Sequence, residues 1–445
     1  MALRILLANE PNFAEAFAAL RPRGVLDPKV ERAARRIVDA VRARGDAAVL
    51  EAAARFDGVR LSSAEELLVP KADLERALRA IPRAARQALE QAAARIARFH
   101  RHQRDRSWQF RDRLGFTLGQ RVFPLDRAGV YVPGGHAVYP SSVLMNVIPA
   151  RVAGVREIVM ATPSGPEGPA AAVLAAAAIA GVDRVYRVGG AQAVAALAFG
   201  TETIPKVDKI VGPGNAWVQA AKRLVFGVVD IDGIAGPSEV VVVADEHADP
   251  SYVAADLLAQ AEHGSGDECA LLFTPCRALA LATQAEVEAQ LRALPRRQAI
   301  ARVLARRAAA IVVGDIEQAI ALADAVAPEH LELIVRNPKQ WLDKIRHAGA
   351  VFVGPWAPAP LGDYAAGPNH VLPTGGTARF FSPLGVYDFV KRSSIVQANR
   401  SALEHLAPVV TTLAELEGYE AHANAVRVRL SACPLHERKE RRHGR

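Results

Sequence analysis

Residues 234–264 read IAGPSEVVVVADEHADPSYVAADLLAQAEHG, and the succession of elements in this stretch decides the fold. Residues 240–244 are an unbroken, β-branched apolar run bounded by Gly236-Pro237 and Asp245, which predicts a buried strand. Asp249-Pro250 then offers an N-cap and first-turn pair, Ala254, Ala255, Leu257, Leu258 and Ala261 an apolar stripe, and Gly264 a stop, which predicts a helix. Gln260 and His263 lie three apart and project from one side of its last turn. Two uses fit that pair: a solvated helix end where the dipole favours histidine, or ligands for a metal or polar substrate facing Ser238 across the strand. Spacing does not choose between them.

The same alternation extends outward on both sides. Strands at 158–161, 185–188 and 209–211 each precede a helix, at 170–180, 191–199 and 216–225. After the opening stretch come strands at 271–274, 310–313, 331–335 and 350–354, with helices from Arg277 and Ile316. The fold class is α/β, with two doubly wound, mostly parallel sheets joined by right-handed crossovers, one either side of about Pro237. Residues 27–103 are a helical lead-in interrupted at 68–70, with 72–99 apolar at three- and four-residue steps, and 115–132 are strands joined by turns. Proline, glycine and single polar residues make 355–383 a long loop, a length that is usually functional. A final helix at 413–430 carries Glu417 and His422, which share a face less closely than Gln260 and His263.

Composition narrows the function. Of 445 residues, 51% are hydrophobic and 6% aromatic, enough for two or three domains of alanine-rich helices packed on sheets. The net charge of +8 is concentrated at 98–113 and in the tail HERKERRHGR. Neither segment interleaves stacking aromatics as a nucleic-acid module does, so no nucleic acid is expected as partner. Cys269, Cys276 and Cys433 have no zinc-knuckle or redox spacing, and no apolar run reaches about 18 residues. The expectation is a cytoplasmic protein with neither membrane span nor export signal.

Three glycine turns follow predicted strands: Pro133-Gly134-Gly135, Gly189-Gly190-Ala191-Gln192 and Gly212-Pro213-Gly214-Asn215. Glycine lets backbone amides approach an anion closely, and the helix start adds its dipole, so three such turns point to a nucleotide or phosphate site. The G-x-G-x-x-G fingerprint is absent. Glu329 and His330 could divide two proton transfers between them or merely cap a helix end. Asp363 reads as a ligand or as an Asx-turn residue, and Gln260, His263, Asp363 and His422 would together form an N/O set suited to zinc. Their separation along the chain leaves the cluster unestablished.

At this point the chain resembles histidinol dehydrogenase. The matching segments are AGVYVPGGHAVYPSSVLMNVIPA, RVGGAQAVAALAFGTETIPKVDKIVGPGNAWV, IAGPSEV, LLAQAEHG, APEHLEL, LGDYAAGPNHVLPTGGTARF, GVYDFVKR and EGYEAHANAV, in order from Ala128 to Val426. The resemblance implies NAD-dependent oxidation of L-histidinol to L-histidine through an enzyme-held aldehyde, in two hydride transfers, the final step of histidine biosynthesis. By that likeness Gln260, His263, Asp363 and His422 ligate zinc, His330 is the general base and Glu329 activates the hydrating water. Ser238, His370 and Glu417 join the zinc ligands and the Glu329–His330 pair in binding substrate, and Tyr131, Gln192 and Asn215 hold NAD. It also implies two incomplete Rossmann-like domains: 131–237 for NAD, and 27–130 with 238–384 for zinc and substrate. Small extensions at 1–26 and 385–445 flank them, the latter completing the partner's site in an intertwined homodimer.

The chain departs from the family pattern after His263, where GSGDEC replaces an Asp-Pro turn, and at Pro358-Ala359-Pro360, which lacks an acidic residue. Cys269 is expected to be oxidation-sensitive near the metal, with no thiol catalysis. Two other functions fit less well. A related zinc-dependent NAD dehydrogenase for another polar diol or amino alcohol would not need Glu417 and His370, and a silent nucleotide-binding protein would not need competent side chains at every named position.

Overall fold

The computed structural model describes residues 3–21, 27–134, 138–263 and 266–431. Gly135, Gly264, Cys433 and the tail 436–445, each named above, lie outside the described residues. The chain forms two compact units, Met1–Arg104 with Pro124–Phe389, and Asp105–Phe123 with Val390–Arg445.

In the first unit the strand expected at 240–244 is Glu239–Ala244, near the middle of a six-stranded sheet. The order is Arg4–Leu7, Ala308–Val312, Cys269–Thr274, Glu239–Ala244, His330–Ile334, Ala350–Val353, and every pair is parallel. Helices cover both faces, so the central strands are buried on both sides and read as continuous apolar runs. One face packs Val240 and Val242 with Leu257 and Leu258 of the helix Pro250–Ala261; the other packs Val241 and Val243 with Ile320 of Ile316–Val326. Asp249 caps the first of these helices, accepting from the Ser251 amide at 2.8 Å. The amino-terminal segment is more than an extension, because Arg4–Leu7 supplies an edge strand of this sheet.

The second sheet runs Leu68–Val69, Arg184–Arg187, Glu157–Thr162, Arg127–Tyr131, Lys209–Val211, Asp230–Ile231. All its pairs are parallel except that of Leu68–Val69. Helix Pro28–Arg44 packs against Gly190–Phe199 and Ala216–Val225, and Lys71–Ala80 against Ala171–Ala180. Residues 27–104 therefore cover this sheet, a correction to their expected grouping with 238–384. Ala34, Val38 and Val41 enter one core with Tyr131, Val159 and Ala193. Helical periodicity reveals an apolar face but not the surface that covers it.

Other differences have local causes. The stretch 72–99 is two helices, Lys71–Ala80 and Arg83–Arg101, because Ile81 precedes a proline and is extended at φ −69°, ψ 149°. Within the long loop, Ala359–Tyr364 is helical, so Asp363 is a helix residue and not an Asx turn. The second unit has a sheet ordered Val390–Gln397, Thr117–Pro124, Trp108–Arg111 and two helices, Arg400–Leu416 and Glu420–Ser431. The single helix expected at 413–430 is broken at Gly418, whose φ of 76° is left-handed.

Candidate active site

Parallel pairing of Val240 with His330 sets Ser238 and Glu239 beside Glu329 and His330 at the amino ends of two central strands. The Glu239 amide donates to Glu329 Oε2 at 3.1 Å, and the Glu329 amide donates back to Glu239 Oε2 at 3.3 Å. Glu239 Oε1 accepts from the Gly375 amide at 2.7 Å. Burial pushes the Glu239 carboxyl up to about 8, and it raises Glu329 as well, against the lowering pull of His330, the Glu239 amide and Ser238. Sequence reasoning missed Glu239; its signal was an acid opening an otherwise apolar buried strand.

His330 is 3% exposed. Its Nδ1–H donates to the Glu239 carbonyl at 3.1 Å, and Nε2 lies 3.2 Å from Asp363 Oδ1. Both neighbours are acceptors, so both ring nitrogens carry hydrogen. Burial alone would lower this imidazole, but the charges of Glu329 and Asp363 and the bond to Asp363 push it up to about 9. Burial would likewise raise Asp363, yet the hydrogen bond from His330 and the nearness of His330, His370 and His263 hold it below the usual carboxylate range. The His370 Nδ1–H donates to the Asp363 carbonyl at 2.8 Å, its Nε2 lies 3.4 Å from Ser142 Oγ, and burial keeps the ring below its ordinary value.

His263 thus belongs electrostatically with Asp363 and His370. The α-helix ends at Ala261, and the His263 amide donates to the Gln260 carbonyl at 3.4 Å, closing one further, tighter turn that spans the two residues. Gln260 is 5% exposed, and its Nε2 has no hydrogen-bond partner among the described residues. A half-turn of the amide would put its oxygen, a metal ligand, in that place. Glu417 and His422 belong to the second unit, where both are exposed and the His422 ring lies 5.1 Å from that of Tyr419.

Beside Glu329, Ser238 and His370 a cavity opens, lined also by Gly212, Gly214 and Thr374. The chain order of the second sheet reverses between Arg127–Tyr131 and Lys209–Val211, and open α/β sheets bind ligands just past the carboxyl ends of strands at such a point. Tyr131, Gln192 and Asn215 all lie at or past such ends. Tyr131 is buried, its hydroxyl accepts from the Gly190 amide at 3.1 Å, and burial pushes it up to about 12. Gln192 donates to Asp57 at 3.2 Å, and Asn215 caps Ala216–Val225 by accepting from the amides of Trp217 and Val218. These three side chains brace the turns. Gly212 permits the closest approach: its φ is 117°, and a Cβ there would collide with the Tyr131 carbonyl.

Cys269 does not fit its expected sensitivity to oxidation. It is fully buried, burial raises its thiol far above the ordinary value, and Sγ donates to the Leu20 carbonyl at 3.6 Å.

A two-sheet α/β chain with a buried carboxylate–imidazole cluster beside glycine turns defines an α/β enzyme. The histidinol dehydrogenase family model matches residues 21–430. A histidinol dehydrogenase of Cupriavidus pinatubonensis is 51% identical over 436 residues, 96% of this chain and 97% of that one. One from Syntrophotalea carbinolica is 52% identical over 432 residues, covering 96% and 99%. The crystal structure of histidinol dehydrogenase from Elizabethkingia anophelis superposes with a TM-score of 0.90 at 35% identity, covering 96% of this chain and 98% of that one. The chain belongs to the histidinol dehydrogenase family, a family of oxidoreductases. Among the described residues no helix is long and apolar enough to cross a membrane.

Proposed function

We propose that the protein oxidises L-histidinol to L-histidine with NAD in two hydride transfers through an enzyme-held aldehyde, the final step of histidine biosynthesis in the cytoplasm. The observation that carries this reading is the contact of His330 with Asp363, Glu239 and Glu329 beside the glycine-lined cavity. An imidazole aligned by a backbone carbonyl and flanked by a second buried base suits two successive proton removals.

Gln260, His263, Asp363 and His422 would hold zinc. The partnerless buried amide of Gln260 and the low-lying carboxylate of Asp363 beside His263 fit an N/O donor set for that ion. When bound, zinc orients the amino alcohol and NAD accepts hydride. His330 takes the alcohol proton, then that of the hydrated aldehyde, through Nε2, while the Glu239 carbonyl holds Nδ1–H. As it stands the ring keeps both hydrogens up to about pH 9; positive charge shared onto Asp363 would lower it toward neutrality. Glu329, raised by burial, takes a proton from the water that hydrates the aldehyde. Ser238, His370 and Glu417 bind substrate with the zinc ligands, and Tyr131, Gln192 and Asn215 shape the NAD site.

In this division of labour 131–237 serves NAD, and 238–384 serves zinc and substrate. The carboxyl-terminal segment, with Glu417 and His422, completes the site of a partner subunit in a homodimer. Exposed Leu413, Leu416 and Tyr419 on the second unit support such an association.

The test is incubation of zinc-replete protein with L-histidinol and NAD, expected to yield NADH and L-histidine and to stop on chelation. Absence of turnover in zinc-replete protein refutes the reading. His330→Asn should retain zinc and lose turnover, and His263→Asn should lose zinc; zinc retention in the latter removes His263 from the ligand set. Elution at monomer mass in gel filtration contradicts the shared site.

A further inference from the structure

Glu332 is the third residue of His330–Ile334 and lies on the same face as His330. It is 1% exposed in the interior of the sheet. Its Oε1 accepts from the Ala359 amide at 2.8 Å, and Ala359 opens the six-residue helix Ala359–Tyr364 that carries Asp363. A helix so short has little stability of its own and depends on such an anchor.

The other oxygen, Oε2, is also buried, and no N–H or hydroxyl donor among the described residues reaches it. The side chain that bears most on the Glu332 carboxyl is a second carboxyl, Asp256, close enough for each to shift the other's charge. Asp256 is half-buried and stands one turn before Gln260 in Pro250–Ala261. Two carboxyl groups can bond to each other only when one of them holds a proton. Burial, followed by the nearness of Asp256, raises Glu332, and burial raises Asp256 too, so the pair favours holding a proton between them.

We propose that Asp256 and Glu332 are a positioning pair: by sharing one proton they clamp Pro250–Ala261, His330–Ile334 and Ala359–Tyr364 together and so fix the mutual placement of Gln260, His330 and Asp363. Each of the three elements brings a different part of the site. Glu332 holds two of the joints, one to Ala359 and one to Asp256, and its own strand supplies His330. An apolar pair of equal volume could pack as well, yet it would leave the Ala359 amide without an acceptor and give the joint no direction. The link to zinc rests on the proposed function; the clamp itself does not.

Three variants of the full chain separate a directional bond from mere filling. Glu332→Gln keeps an acceptor for Ala359 and gives Asp256 an N–H donor, so it should stay within about threefold of the parent in zinc affinity. Glu332→Leu removes both bonds, and Asp256→Ala removes one while tolerating water at its half-exposed position. Each should lose about 10- to 100-fold in zinc affinity, the usual cost of removing a partner behind a metal ligand. In metal-free protein, amide exchange at Ala359 should quicken about tenfold in Glu332→Leu, with exchange in Lys209–Val211 unchanged as a folding control. If Glu332→Leu does not fold, Asp256→Ala against Glu332→Gln decides by zinc affinity. Equal damage in Glu332→Gln and the other two, or parental exchange and zinc affinity in Glu332→Leu, overturns the proposal. Should the parent neither bind zinc nor oxidise L-histidinol, the functional reading fails, while exchange at Ala359 still decides the clamp.

Discussion

Lys222 and Asp232 lie beneath the Gly212–Gly214 turn, with side chains 1% and 7% exposed. Lys222 Nζ pairs with Asp232 Oδ1 and donates to the Gly212 carbonyl at 3.1 Å, while Asp232 Oδ2 accepts from the Gly212 amide at 2.7 Å. Both backbone groups of Gly212 are thereby held by one buried ion pair. Lys222→Met keeps the chain length but leaves Asp232 charged, buried and with a single hydrogen bond. Removing one member of a buried pair costs about 3–5 kcal/mol, so a loss in that range is expected in urea unfolding at pH 7.5. The double variant Lys222→Met/Asp232→Asn should recover more than about 1.5 kcal/mol of that loss, because the neutral amide still accepts from Gly212 and leaves no unpaired charge. The folded Lys222→Met protein should also show a raised KM for NAD, since the turn is no longer held from below. A Lys222→Met stability within about 1 kcal/mol of the parent, or a double variant no more stable than Lys222→Met, would show that the pair does not hold the turn.

Glu239→Leu strips the acceptor from the amides of Glu329 and Gly375 and should cost about 1–3 kcal/mol for each, read in the same unfolding assay. Gly349→Ala brings a Cβ to 2.6 Å from the Glu329 carbonyl oxygen and should lower kcat while zinc content stays at the parental level. In metal-free protein His330 stands at about 9 against an ordinary 6.5; a raised imidazole stabilises fully below 6.5, and that contribution is lost as pH rises through about 9. Glu239, raised from 4.5 to about 8, acts in the same direction, so the melting temperature should fall between pH 6.5 and 9, less steeply in His330→Asn. Addition of zinc should bring the His330 titration, followed by NMR, down from about 9; an unchanged titration detaches His330 from the metal site.

Much of this architecture is legible in the chain. Parallel strands buried on both faces must be apolar throughout, which is why Glu239–Ala244 and Cys269–Thr274 stand out as runs, and in the other sheet glycine turns mark the ends of Arg184–Arg187 and Lys209–Val211 at Gly189-Gly190 and Gly212-Gly214. The partners of amphipathic helices are not legible: Pro28–Arg44 displays an apolar face, but only three-dimensional packing shows that it faces Gly190–Phe199. Glu239 and Glu332 escape notice because one acid in an apolar strand looks like an edge or a face until the buried groups opposite it are known. Gly418 is compatible in sequence with a continuing helix, since a glycine interrupts one only where the turn it permits is stabilised by the next residues; here the Tyr419 amide closes back on Ala414 at 2.7 Å.

The central claim is that one buried base, His330, serves two successive oxidations without release of the aldehyde. With L-histidinol limiting and NAD in excess, the zinc-replete protein should produce two NADH for each L-histidine formed, with no free aldehyde trapped by an added amine reagent. One NADH per L-histidinol consumed, with the aldehyde recovered in solution, would contradict the account.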